Sequence, residues 1–190
     1  IGDWSSDVCS SDLLYPKKYI DSNYVGFFNI IQCVKKHRVK RLFYASSSSV
    51  YGDSKKFPLK ENENIFPKNI YALSKKSNEE ISQVYSNYYN INCTGLRFFT
   101  VYGEWGRPDM FILKYLKTAH QNKDFIFFNK GNYYRDFTYI KDAIRLIEPI
   151  IFLKKNFFKK HEIFNVCSDR PIKLNRVYEK LNKLIQHKNL

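Results

Sequence analysis

Ser47, Tyr71 and Lys75 are the residues of this chain whose types and spacing could do chemistry. Ser47 lies in Ala45-Ser46-Ser47-Ser48-Ser49-Val50-Tyr51-Gly52, which reads as a buried strand running into a hydroxyl-lined turn. Tyr71-Ala72-Leu73-Ser74-Lys75 puts a phenol and an ammonium four residues apart, on one face of a helix. A free tyrosine titrates near pH ~10 and is a poor base at neutral pH. An ammonium one helical turn away favours the phenolate. Such a phenolate can take a proton from an alcohol whose carbon gives up a hydride, while a serine hydroxyl bonds the alcohol oxygen and relays the proton.

Two Tyr-x-x-x-Lys pairs occur, Tyr51/Lys55 and Tyr71/Lys75, and about two are expected by chance in a chain this rich in both residues. Gly52, Asp53 and Ser54 are turn residues inside the first pair, so it does not share a helix. The second pair opens a convincing helix over Tyr71 to Tyr89. Asn69 is its N-cap, Pro67 lies upstream, and Glu79 and Glu80 fall on the polar side.

The elements that must position these groups alternate between helix and strand, as in a parallel sheet. Helices are predicted over Pro16 to His37, Pro108 to His120, Tyr139 to Leu153 and Leu174 to Gln186. The first carries Tyr24, Phe27, Phe28, Ile31 and Val34 as an apolar stripe. Buried strands are predicted over Arg41 to Ser46 and Thr94 to Phe99, with shorter ones at Phe125 to Phe128 and Ile163 to Val166.

Composition narrows the function classes. The formal net charge is +14, a balance that could suit nucleic acid or an anionic membrane. Yet Lys, Asn, Ile, Phe and Tyr make up 90 of the 190 residues, all of them with A/T-rich codons. The charges are spread, with no block of five or more of one sign, so the surplus reads as genomic bias on a solvated surface. No nucleic-acid or membrane partner is expected. Cys33, Cys93 and Cys167 lack metal-ligand spacing and read as small core residues, so no metal is expected. The four His residues fall at helix ends or in Lys-rich loops and receive no catalytic role. No apolar run reaches 18 residues, and the chain reads as soluble and cytoplasmic.

Five stretches carry a resemblance. They are Tyr44 to Gly52, Tyr71 to Lys75, Leu96-Arg97-Phe98-Phe99-Thr100-Val101-Tyr102-Gly103, Trp105-Gly106-Arg107-Pro108-Asp109-Met110 and Arg135-Asp136-Phe137-Thr138-Tyr139-Ile140. In this order they resemble the NAD-dependent epimerase/dehydratase family of extended short-chain dehydrogenases, closest to its UDP-glucuronate 4-epimerase branch. The resemblance implies an α/β fold, a Rossmann-like doubly wound parallel sheet with a smaller substrate-binding portion. It implies a partial NAD-binding domain over 14–103 and an interleaved substrate-binding region over 104–190. Tyr71 would take the proton from the sugar O4 while NAD accepts hydride from C4. Ser47 would bond O4. The 4-keto sugar would turn over, and C4 would be reduced on its other face.

By the same resemblance, Asn23, Ala45, Ser46, Tyr71, Lys75 and Phe98 would contact NAD, and Ser48, Ser49, Thr100, Arg107 and Arg135 the UDP-sugar. Thr100 and Arg107 match positions that meet a uronate carboxylate, which a guanidinium fork reads bidentately. Arg135 matches the residue that pairs with the diphosphate. Asn23 could equally be an ordinary helix residue, the two phenylalanines simple core, and Arg107 a surface charge. Related dehydratases carry an Asp-Glu pair, and decarboxylases a Glu, where this chain has Ser48 and Ser49. That favours epimerisation over elimination. UDP-glucose, a UDP-N-acetylhexosamine or a related dehydration remain alternatives. Family members commonly form homodimers through a helix pair that would include Tyr71 to Tyr89.

The chain departs from the family at its beginning. Its seven glycines include no Gly-x-x-Gly-x-x-Gly cluster to cradle a pyrophosphate. Residues 1–13 repeat Ser-Ser-Asp, lack Lys and Arg, and resemble a translated sequencing adapter. The chain therefore reads as a gene fragment joined to foreign sequence near Leu13/Leu14, with weak or no activity by itself. A non-catalytic binding module that lost its cofactor loop is the alternative from another class.

Overall fold

The computed structural model describes residues 14–54, 57–125, 131–153 and 160–188. The 1–13 segment and most of the strand expected at Phe125 to Phe128 lie outside them.

The described residues start helical. Helix α1 (Pro16–Tyr19) leads through a π-helical segment (Ile20–Val25) into α2 (Gly26–Lys36) without leaving helical backbone. Strand β1 (Arg41–Ser47) follows, then a 3₁₀ turn (Ser48–Tyr51) and the long helix α3 (Ile70–Tyr89). Next come β2 (Asn92–Phe98), β3 (Thr100–Tyr102) and α4 (Phe111–His120). The remainder is β4 (Tyr134–Arg135), β5 (Phe137–Tyr139), α5 (Ile140–Phe152), β6 (His161–Val166), β7 (Ile172–Lys173) and α6 (Leu174–Lys188).

The main sheet runs β1-β2-β6 and is parallel throughout. One face packs on α2 and α3 through Ile31, Val34, Tyr44, Tyr85, Ile91 and Cys93. The other packs on α5 through Leu96, Ala143 and Val166. Helices on both faces of a parallel sheet are the doubly wound arrangement, and burying each large apolar side chain contributes about 1.5–3 kcal/mol. Gly95 sits mid-β2 because Tyr44 lies across it. A Cβ there would stand 2.7 Å from the Tyr44 hydroxyl, which bonds His161 Nε2 at 2.9 Å. Two small pairings accompany the sheet, β3 with β5 in parallel and β4 with β7 antiparallel. Among the described residues no helix is long and apolar enough to cross a membrane.

Helix α3 starts where its cap dictates. Asn69 is extended, and its Oδ1 accepts from the Ala72 amide at 2.8 Å. The helix ends at Asn90, whose φ of 54° is left-handed, a conformation Asn tolerates. Ser74, Asn78, Ser82 and Ser86, four residues apart, are buried and let the helix approach its neighbours closely.

Several expectations need correction. Glu79 is not on a polar side; it is buried, because it has a charged partner in β2. Cys33 is exposed, on the outer side of α2, while Cys93 is buried and Cys167 half-buried. His161 stands in β6, where it stacks on Tyr44. Of the predicted apolar stripe, Tyr24 and Phe28 remain largely exposed. Pro108 lies before α4, which begins only at Phe111.

Candidate active site

The carboxyl ends of the strands carry the site, as is usual for open α/β sheets. Ser47 ends β1 and caps the turn after it. Its hydroxyl accepts from the Ser49 amide at 3.2 Å and reaches the Ser49 hydroxyl at 3.1 Å. Val50 and Tyr51 are buried and anchor the turn. Gly52 closes it with a φ of 61°, and a Cβ there would run into the Phe66 carbonyl.

Helix α3 brings Tyr71 and Lys75 to this end. Lys75 Nζ donates to the Ala45 carbonyl at 2.9 Å, tying the helix to β1 two residues before Ser47. The same ammonium stands 5.8 Å from the Tyr71 ring centre. Burial pushes its pKa below the usual lysine range. Tyr71 is half-buried and meets Tyr19 edge to face at 6.1 Å. Asn23, on the π-helical segment, donates to the Ser74 hydroxyl at 3.2 Å, and Ser74 in turn donates to the Tyr71 carbonyl at 2.7 Å. A π turn re-aims side chains within a helix and is frequent at functional sites.

A cavity of about 390 Å³ opens beside these elements. Ser48, Ser49, Thr100 and Arg135 line it, four of the five residues expected to meet a sugar nucleotide. Asn69 and Ala72 bring the start of α3 to its wall, and Phe57 to Leu59 close another side. Ser47 and Tyr71 are sequence neighbours of lining residues, but neither they nor Lys75 line it.

Three expected residues stand elsewhere. Arg107 does not line the cavity; its guanidinium forks onto Asp109, with Nε at 3.0 Å from Oδ1. That partner is two residues away and needs no tertiary contact to find. Phe98 packs with Leu96, Ala143 and Val166, because its side chain takes the α5 face of β2, whereas Phe99 reaches the cavity. Ser46 is buried, and its hydroxyl donates to Glu79 Oε1 at 2.5 Å, which turns it inward to the helix. Ala45 alternates to the exposed face.

Two organising groups escaped the sequence reading. The buried Asp136 carboxylate accepts from the Thr138 and Ser168 hydroxyls and from the Ser168 and Arg170 amides at 2.8–3.0 Å. Its carbonyl accepts from the Thr100 amide at 3.1 Å. One residue thus holds Arg135, Thr100 and the turn after β6 together, and its place in the Arg135-Asp136 motif was the available signal. The second group is Glu79 with Arg97. The guanidinium forks onto the carboxylate, Nε to Oε1 at 2.9 Å and Nη2 to Oε2 at 2.8 Å. Arg97 also donates to the Glu61 carbonyl at 3.2 Å and stacks on Tyr51 at 4.7 Å. Burial alone would lower its pKa, but the Glu79 fork outweighs that and raises it.

Comparison with known proteins agrees with this geometry. The profile of the NAD dependent epimerase/dehydratase family matches residues 8–167. The chain is 40% identical over 187 residues to protein CapI of Staphylococcus aureus, covering 89% of this chain and 55% of that protein. It is 35% identical over 192 residues to UDP-glucuronate 4-epimerase 4 of Arabidopsis thaliana, covering 92% and 44%. The crystal structure of UDP-glucuronic acid 4-epimerase from Bacillus cereus, in complex with UDP-glucuronic acid and NAD, superposes with a TM-score of 0.81 at 30% identity. That match covers 87% of this chain and 52% of the other. The chain spans about half the length of the curated relatives it matches.

Proposed function

Because this chain belongs to the NAD-dependent epimerase/dehydratase family, we propose that it carries the catalytic part of a nucleotide-sugar 4-epimerase that interconverts UDP-glucuronate and UDP-galacturonate. The observation that carries this reading is the Lys75 bond to Ala45. It ties the helix of the phenol and the ammonium to the strand that ends in Ser47, beside a cavity that Thr100 and Arg135 line and those three do not.

The donors present suit the nicotinamide half of NAD. An ammonium has three N–H groups, of which Ala45 takes one. Lys75 and Asn23 would bond ribose and carboxamide, and the cofactor, when bound, supplies reversible hydride exchange at C4 of the sugar. No glycine cluster in the sequence serves the pyrophosphate.

The chain's own residues do the proton work. Tyr71 takes the proton from O4, and Lys75 keeps the phenolate charge favourable. Ser47 bonds O4 and relays the proton. Ser48, Ser49 and Thr100 donate to the carboxylate at C5, and Arg135 offers its fork to the diphosphate. The cavity leaves a 4-keto sugar room to turn. Leu73, Val84 and Tyr88 are exposed along α3, which supports a homodimer formed through that helix.

Incubation with UDP-glucuronate and NAD, read by proton NMR of the sugar, tests the reading; appearance of UDP-galacturonate is expected. Tyr71→Phe should lower turnover by about 10²–10⁴-fold without altering the fold, and near-native turnover in that variant would overturn the assignment. One observation favours a neutral sugar instead. Arg107 is turned onto Asp109 rather than toward the cavity. Epimerisation of UDP-glucose or a UDP-N-acetylhexosamine, with uronate refused, would establish that alternative. Failure to bind NAD or any UDP-sugar would establish the non-catalytic module.

A further inference from the structure

Tyr71, Lys75 and Glu79 follow one another at four-residue steps along one side of α3, drifting about 40° per step. The first two belong to the chemistry proposed above. The third is deeply buried with its charge, one rung below the sheet's carboxyl end. A buried carboxylate needs a reason, since burial of a charge is tolerated only with full pairing.

Its partners give the reason. Glu79 accepts from Ser46 and from both edges of the Arg97 guanidinium. Ser46 and Arg97 are opposite each other in the β1-β2 ladder. The carboxylate therefore grips one rung of the sheet, and the next rung up is Ser47 with Phe98. From the same rung Arg97 reaches the Glu61 carbonyl and covers Tyr51. Tyr51 donates to Asn165 in β6 at 2.8 Å, and Asn165 donates to the Leu59 carbonyl at 2.9 Å. Six elements around the site meet this network: β1, the turn after it, α3, β2, β6 and the 57–61 loop.

We propose that Glu79 is a positioning residue that fixes the axial register of α3 on the sheet, and so holds Lys75 and Tyr71 opposite Ser47. This deepens the epimerase reading and rests on it for its catalytic consequence. The lever is short. Lys75 lies about 6 Å up the helix from Glu79, and Tyr71 about 12 Å. With the network removed, the Lys75–Ala45 bond alone would hold the lysine end of α3 to the last residues of β1 among the described residues. A misplacement of about 1 Å in such a geometry costs on the order of 10²-fold in rate.

The decisive variant is Glu79→Leu with Arg97→Met, which removes both charges together and leaves neither buried alone. Two readouts are taken on the whole chain. The first is steady-state turnover of the UDP-sugar with NAD. A fall in kcat of about 10²-fold, with KM changed less than about threefold, is expected. The second is amide hydrogen exchange. Faster exchange at Leu73 to Lys76, by about tenfold or more, with Val84 to Tyr88 unchanged, is expected. Turnover within twofold of wild type, unchanged exchange, or an equal loss through KM each overturns the proposal. If the double variant does not fold, Ser46→Ala removes one arm of the grip. It should show the same pattern at about three- to tenfold in kcat, and no change overturns it. Should the wild-type chain itself show no turnover, as its missing glycine cluster allows, the exchange result alone decides whether Glu79 sets the register, and failure to bind any UDP-sugar is what sinks the epimerase reading.

Discussion

Arg97 with Glu79 and Arg107 with Asp109 are the same chemical object in two settings. Each is a guanidinium forked onto a carboxylate. The first pair is 4% and 7% exposed, the second 61% and 56%. Arg97 joins Glu79, 18 residues away, and two further elements, so releasing it would leave a bare charge in the core. Arg107 joins a residue two positions away, and water can replace either partner at little cost. The buried fork is architecture. The exposed fork can be exchanged for another anion, which is what recognition of a substrate carboxylate requires.

The sharpest way to break this contrast is Arg97→Met alone. It strands Glu79 and should destabilise the fold by about 3–5 kcal/mol in urea unfolding. A loss under about 1 kcal/mol would show that water or Lys75 reaches the carboxylate. Arg97→Lys keeps the charge but loses the fork, and about 1.5–3 kcal/mol should go with it. Acid tests the surroundings of the buried pair. Burial holds His161 below its usual range, against the pull of nearby Glu79. The unfolded chain then takes up the proton first as pH falls. Stability is full above the unfolded value of about 6.5 and declines below it. Urea midpoints at pH 7.5 and 5.5 should differ in that direction, and His161→Gln should narrow the gap. Arg107→Ala should cost less than about 1 kcal/mol in stability. Its informative readout is KM for a uronate: a rise would show Arg107 exchanging Asp109 for the substrate carboxylate, and no change would favour the neutral-sugar reading.

What the sequence revealed follows the same division. Local signals were legible. Asn69 was readable as a cap because its side chain acts within three residues, and α3 starts where that cap puts it. The strands leading to Ser47 and Phe98 were readable from dense apolar runs. Ser48, Ser49, Thr100 and Arg135 came from motif order, and all four line the cavity. Glu79 was misread because Lys75 and Lys76, within a helical turn of it, suggest a solvated charged face; its partner Arg97 arrives through the fold. His161 was misread for the same reason, since Tyr44 reaches it across Gly95 from 117 residues away. The β3–β5 and β4–β7 pairings, two or three residues long, are too short to carry any periodicity.

The wide turn at Ile20–Val25 has its own consequence for how this chain can vary. A π turn holds one residue more than the α-helix around it. Loss of a single residue there would restore regular winding and leave the helix unbroken. Everything upstream would keep nearly its present orientation, because six residues at π winding turn about as far as five at α winding, and the change would fall on the side chains within the segment. Asn23, inside the segment, would lose its reach to Ser74. A length change that is silent for folding would thus be loud at the site, and insertions or deletions among relatives should avoid these six residues.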